Sequence, residues 1–395
     1  MEPFFIIGII IIIGFLGYFL YSKTHIPESL ILIGVGLILG PITHIVPREN
    51  VFHIIPLFST LALIIIILET GLSIDVLKAA KDFIKSFLFT TITVITTAIV
   101  IMTFFSGILK WPWQHGLLLG IICGGTTTVS VASLMKHLNI PKQIKNLLEI
   151  ESIINDILVI VFTLALAGLI KYENIALSDP ILDIIRIFSV GTVAGMIIGG
   201  IWLYVLSRIL APHLAYIATL GVLFTLYDLA ELIGGNGAVA TLVFAIILGN
   251  AKKLNYKLNF GGQYGYTNKL KEVNFNISFL VTTFFFVLLG ISFDASIMTW
   301  RIFFYSLLLL ALVIAARMLC VKGLIKMDSS YEPYQFLITT ILPRGVVATV
   351  LAFLIVKEGI IIPYFTELVL IVILTTTITA NIGAMFFYKK SKKRK

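Results

Sequence analysis

Eight consecutive residues, Glu149-Ile150-Glu151-Ser152-Ile153-Ile154-Asn155-Asp156, set three carboxylates, a hydroxyl and an amide at the head of an apolar stretch that runs on from Ile157 to Leu169. A carboxylate sunk in hydrocarbon costs about 2.5–3.5 kcal/mol even on a lenient insertion scale, so such a group is retained where it binds something. The chemistry on offer is capture of a cation or a proton. On a helix, Ser152 and Asp156 share one face, and so do Glu149 and Ser152. Glu151 and Asn155 share the neighbouring face. A hydroxyl beside a carboxylate is a hard-oxygen donor set of the kind that alkali cations favour.

The elements that must hold these groups are membrane helices. The chain has 395 residues, 59% of them hydrophobic and 12% charged, with a mean hydropathy of +1.06. Soluble domains carry about 25% charged residues, so the composition describes an all-α polytopic membrane protein. No stretch is long and polar enough for an appended nucleotide-binding module. Cys123 and Cys320 lie in apolar runs and form neither a metal spacing nor a disulfide framework. The first apolar run lacks a basic leader and a cleavage site, and reads as a retained span.

Thirteen apolar segments are long enough, or nearly so, to cross hydrocarbon: 4–21, 29–46, 54–74, 86–108, 115–136, 149–170, 183–207, 212–232, 236–250, 276–293, 300–320, 335–356 and 363–387. The segment 236–250 is short and 29–46 is rich in glycine, so either could be tilted or partial. With the N-terminus outside, 21 basic residues fall on the cytoplasmic side and six on the other, as the positive-inside rule requires. The basic tail 389–395 would then be a cytoplasmic anchor after a single transmembrane domain, 1–388. Segments 137–148 and 251–275 read as interfacial linkers. Arg317 falls near the inner end of its segment, where it would snorkel. Asp228 and Glu231 fall near a span end, among headgroups.

Two segments are interrupted at mid-depth. The fifth carries Gly124-Gly125-Thr126-Thr127-Thr128 and the twelfth carries Thr339-Thr340-Ile341-Leu342-Pro343-Arg344-Gly345. Proline removes a helical hydrogen bond and crowds the preceding turn. Unwound backbone survives in a membrane only when buried in protein or lining a watery cavity. Paired interruptions at corresponding positions mark an inverted-repeat transporter and point to its substrate site. Spans 1–6 and 8–13 are expected to be two inverted six-helix repeats, with discontinuous crossing helices 5 and 12. Arg344 is the candidate partner for Glu151, which leaves Asp156 to titrate. Glu69 in span 3 is expected to line an access path or to pair with another polar group of the bundle.

The stretch Leu148–Asp156 resembles the E-G-E-S-x-x-N-D signature of the Na⁺/H⁺ exchanger (NhaP-like) branch of the cation:proton antiporters. Gly34–Pro41, Leu68-Glu69-Thr70-Gly71-Leu72, Glu231 to Asn250, Phe286-Val287-Leu288-Leu289-Gly290 and Pro343-Arg344-Gly345 resemble further segments of that family, in the same order. The resemblance covers nearly the whole chain. It implies a secondary antiporter of the prokaryotic cell membrane, likewise a homodimer, in which sodium (or another monovalent cation) and a proton compete for Asp156 by alternating access. It implies cation ligands at Ser152, Thr126 and Thr127 with Asp156, Glu151 held by Arg344, and Asn155 linking the two unwound helices. Asn155 carries no second exchangeable proton, so exchange is expected to be electroneutral. Such exchange uses no cofactor and no ATP. One departure stands out: the family's T-D-P reads Thr126-Thr127-Thr128 here, a threonine-rich break closer to potassium-efflux relatives. The alternative is therefore potassium/proton exchange or Kef-type efflux, although Kef systems usually carry a soluble C-terminal domain and this sequence stops soon after Tyr388. An intramembrane aspartyl protease would need a second deep aspartate, and a channel would need a selectivity filter, so neither an enzyme nor a channel is expected.

Overall fold

The computed structural model describes residues 3–24, 28–47, 55–74, 80–136, 138–171, 178–208, 214–251, 266–293 and 299–392. The expected linker residues 252–265, the loop lysine Lys78 and the last three residues of the basic tail lie outside the described residues. Regular structure among the described residues is helical: α1 (Pro3–Thr24), α2 (Glu28–Leu37), α3 (Ile55–Ser73), α4 (Ala80–Ile108), α5 (Trp113–Gly124), α6 (Thr128–Lys136), α7 (Lys142–Lys171), α8 (Ser178–Arg208), α9 (Ala215–Leu232), α10 (Gly237–Gly249), α11 (Tyr266–Ser292), α12 (Trp300–Met327), α13 (Gln335–Thr340), α14 (Val346–Lys357) and α15 (Phe365–Lys392). A single π-turn, Ile38–Ile42, extends α2 around Pro41, and a 3₁₀ segment, Ser329–Tyr334, precedes α13. Among the described residues, seven helices are long and apolar enough to cross a membrane. Their outer faces are apolar too: Ile185, Met196, Ile197 and Ile201 of α8 and Phe303, Phe304 and Leu307 of α12 are exposed. Apolar surface on that scale suits lipid, not water.

Each expected apolar segment coincides with a helix or with a broken pair of helices, and several ends differ from expectation, three of them by seven residues or more. Residues 142–148 are not linker but the first turns of α7. The carbonyl of Pro141 accepts from the amides of Ile144 and Lys145, and Ile144, Leu147 and Leu148 are buried at helical spacing. Residues 266–275 belong to α11. The helix α12 continues to Met327, well beyond the expected end at residue 320.

The chain divides into two compact units, residues 1–59, 79–167 and 282–395 in one and 60–78 and 168–281 in the other. In the first unit, α4 packs closely on α5. A Cβ on Gly120 would sit 2.7 Å from the Ala98 Cα, so glycine is what lets these backbones approach. Phe89, Leu134, Leu147, Leu148, Val321, Leu324, Leu337 and Ile341 form a core where α4, α6, α7, α12 and α13 meet. In the second unit, α8 packs on α10 through Gly191, Gly195 and Gly199, around Leu68, Leu223, Phe244 and Leu248. Glu231, expected among headgroups, is exposed and accepts from the amide of Gly237 at 2.7 Å. Asn236 accepts from Val239 at 2.9 Å, so both side chains cap the start of α10.

Candidate functional site

The two interruptions fall where glycine, threonine and proline place them. The helix α5 ends at Gly124, residues 125–127 are non-helical and α6 restarts at Thr128. The helix α13 ends at Thr340, residues 341–345 are non-helical and α14 restarts at Val346. The two breaks meet: the amide of Thr127 donates to the carbonyl of Pro343 at 2.9 Å. Gly345 is required at this contact, since a Cβ there would lie 2.5 Å from the Cβ of Thr127. Threonines of α15 serve the second break. The Arg344 amide donates to Thr376 Oγ1 at 3.3 Å, and Thr377 Oγ1 donates to the Arg344 carbonyl at 3.5 Å. Backbone groups freed by unwinding thus find partners inside the protein, as burial demands.

The helix α7 runs alongside the first break. Asp156 is buried, at 6% exposure, and Thr128 Oγ1 donates to its Oδ2 at 3.0 Å. One helical turn earlier, Ser152 is fully buried and donates to the carbonyl of Glu149 at 2.9 Å. Its hydroxyl oxygen keeps acceptor capacity on the face it shares with Asp156. Asn155 Nδ2 donates to Thr126 Oγ1 at 3.0 Å and approaches the Gly124 carbonyl at 3.4 Å. Its Oδ1 is buried without a partner among the described residues. Asn155, Asp156, Thr126 and Thr128 therefore gather at one break, with Ser152 one helical turn before Asp156 on α7. Glu149 is half-exposed and lies 3.8 Å from Lys145, a surface pair of little energetic weight.

Two expectations are corrected here. Glu151 is held not by Arg344 but by Arg317. Nη1 lies 2.6 Å from Oε1 and Nη2 lies 2.9 Å from Oε2, a bidentate pair in which both residues are 1% exposed. Arg317 Nε also donates to the carbonyl of Ile338 at 2.7 Å, near the C-terminus of α13, where orphan carbonyls favour a cation. Its guanidinium lies over the Phe89 ring, 5.7 Å from the centroid. Arg317 looked like a snorkelling end residue because α12 was expected to stop at residue 320; with α12 reaching Met327, Arg317 sits ten residues before the end. Arg344 is buried and uses Nη1 on the carbonyl of Leu342 at 3.2 Å, while its Nε has no partner among the described residues. The second correction concerns Asn155. Among the described residues it bonds Thr126 and Gly124 of the first break, and a direct tie between the two breaks is the Thr127–Pro343 hydrogen bond.

Thr128 was legible only as one of three hydroxyls, and Arg317 was missed as the partner of Glu151. Glu69 lies in the other unit, where Ser278 donates to it and Tyr216 donates to Asn274 at 3.0 Å.

The arrangement provides one carboxylate and several neutral oxygens beside unwound backbone. That donor set suits a singly charged, hard cation or a proton. Residues 9–388 match the family described as "Sodium/hydrogen exchanger, transmembrane". The chain is 28% identical over 362 residues to Na(+)/H(+) antiporter 1 of Methanocaldococcus jannaschii, covering 88% of this chain and 81% of that protein. It is also 28% identical over 262 residues to the K(+)/H(+) antiporter NhaP2 of Shewanella sp. strain ANA-3, covering 63% of this chain and 44% of the relative. The solved structure of the sodium proton antiporter MjNhaP1 from Methanocaldococcus jannaschii at pH 8 superposes with a TM-score of 0.77 at 24% identity, over 99% of this chain and 98% of that one. That likeness is one of fold. With a match spanning nearly the full length, the chain belongs to the transmembrane sodium/hydrogen exchanger family.

Proposed function

We propose that the chain is a secondary antiporter that exchanges sodium for protons across the membrane, with the two ligands competing for Asp156. The observation that carries this reading is the buried carboxylate of Asp156, bonded by Thr128 at the first residue of the restarted helix. Deprotonated Asp156 binds the cation with Ser152, Thr126 and Thr127 as further oxygen donors, and protonation expels it. One ligand or the other must neutralise the carboxylate before it crosses a low-dielectric barrier. Asn155 has no exchangeable proton, which favours a one-for-one electroneutral cycle. Arg317 and Glu151 fix α7 against α13, and Arg344 supplies positive charge near the unwound backbone.

The wider reading follows from the same proposal. The domain 1–388 works as one antiporter built from inverted repeats, as a homodimer in the cell membrane, with the N-terminus outside and the C-terminus cytoplasmic. It is a transporter and not an enzyme, and it uses no cofactor. Potassium in place of sodium is the second reading. It is supported by the relatives named K(+)/H(+) antiporter and by the threonine-rich break.

Proteoliposomes holding a trapped pH dye test the proposal. Pulses of sodium, lithium or potassium on acid-loaded vesicles are expected to release protons, and Asp156→Asn is expected to be silent. Release in the variant equal to that of the parent would reject the role of Asp156. A rate that rises steeply with imposed membrane potential would reject electroneutrality.

A further inference from the structure

A groove of about 310 Å³ lies between α4 and α12. Its walls are Leu88, Phe89, Ile92 and Thr96 on one side and Leu319, Cys320, Gly323, Leu324 and Met327 on the other. Lys85 and Asp328, paired at 2.9 Å, stand at its mouth. From Lys85 to Thr96 the groove follows α4 for about 16 Å, close to the depth of one leaflet in a hydrocarbon core about 30 Å thick. The lining is thus apolar along its length and charged only at one end.

The flank of that end is basic. Lys322 and Lys326 follow Leu319 on one side of α12, at helical spacings that put all three on one stripe. Both lysines are exposed and make no ion pair with described residues. Lys85 and Asp328 offset each other at the mouth, and Lys322 and Lys326 on the neighbouring stripe give that end of α12 an excess of positive charge. An apolar slot one leaflet deep beneath a cationic rim has the dimensions and polarity of a phospholipid with an anionic headgroup.

We propose that this groove is a binding site for one anionic phospholipid, its acyl chain lying between α4 and α12 and its phosphate at Lys322 and Lys326. The inner wall gives the site a consequence. Phe89 lines the groove and also lies under the guanidinium of Arg317, so a bound chain packs on the residue that backs the Arg317–Glu151 pair. Binding itself does not depend on the proposed exchange reaction.

The test uses the full chain, purified in detergent and stripped of lipid, then titrated with phosphatidylglycerol or phosphatidylcholine of equal chain length. Native mass spectrometry counts the retained lipids, and thermal unfolding reports stabilisation. One phosphatidylglycerol is expected to be retained, with a preference over phosphatidylcholine of about tenfold, since each lysine at an anionic surface contributes noticeably. Gly323→Phe places a ring in the groove at a position where an added Cβ meets nothing within 4 Å. It is expected to lose the retained lipid. Leu319→Trp on the exposed flank is a second filling variant with the same expected loss. Lys322→Gln with Lys326→Gln is expected to abolish the headgroup preference while the chain still binds. Retention of phosphatidylglycerol by well-folded Gly323→Phe or Leu319→Trp at the parent's level would overturn the proposal. So would equal retention of the two lipids by the parent, or a change of oligomeric mass in place of lipid loss, which would give the groove to a second copy of the chain.

Discussion

The amide of Thr127 donates to the carbonyl of Pro343 at 2.9 Å, so the two interrupted helices are joined backbone to backbone at their breaks. The join leaves no room for a side chain at residue 345, where an added Cβ would meet both Cβ and Oγ1 of Thr127 at 2.5 Å. Gly345→Ala is expected to destabilise the fold by about 1–3 kcal/mol through overpacking. The same change in a Thr127→Gly background is expected to cost far less. Thermal unfolding of the four proteins in one detergent measures the difference, and equal losses in both backgrounds would remove Thr127 as the cause.

Arg317 and Glu151 make a second prediction. Removing one partner of a buried ion pair strands the other, at about 3–5 kcal/mol. Arg317→Met and Glu151→Gln are each expected to lower stability on that scale. The double variant is expected to lose much less than their sum, because contacting residues couple. A parallel cycle between Arg344→Met and Glu151→Gln is expected to show the smaller coupling, since the guanidinium of Arg344 turns to the carbonyl of Leu342 instead.

Much of this was legible in the sequence, and the reasons differ from one residue to the next. Gly124–Thr128 and Pro343–Gly345 announce their breaks because glycine and proline act on the local backbone. Ser152 and Asp156 share a face because helical geometry alone puts them there. Partner choice was not legible. Glu151 could meet either buried arginine, and only the length of α12 decides for Arg317. The start of α7 was hidden because lysines and Gln143 interrupt the apolar run before Ile144, although Ile144, Leu147 and Leu148 already carry the helical period.

Thr128 donates a hydrogen bond to the carboxylate of Asp156. Bonds to charged groups contribute about 1.5–3 kcal/mol. Thr128→Val is therefore expected to keep exchange but to raise the sodium concentration for half-maximal rate by roughly tenfold at fixed pH, 1.4 kcal/mol being a factor of ten. Initial rates across a sodium series check this, and an unchanged half-saturation would show that Thr128 does not serve the bound state.

Asp328 supplies a prediction about pH outside the membrane helices. The Ser330 hydroxyl, then the Lys85 ammonium, then the Ser330 amide hold its carboxyl down from 3.8 to about 2. A lowered folded value adds stability that is complete above the unfolded pKa and disappears as pH falls through the folded one. Asp328→Asn is expected to unfold at a lower temperature than the parent at neutral pH. The gap is expected to hold down to about pH 4 and to close towards pH 2. A gap that closes between pH 7 and 5 would assign the effect to another group.

The most direct measurement is proton release on cation binding. Purified protein in weak buffer, held at a pH where Asp156 is partly protonated, is titrated with sodium chloride while a pH electrode and a calorimeter read together. Competition at one carboxylate requires that sodium binding release protons, that the release per sodium fall as the starting pH rises, and that Asp156→Asn abolish both signals. Sodium binding with no proton release at any pH, or the same release from Asp156→Asn, would contradict a shared site.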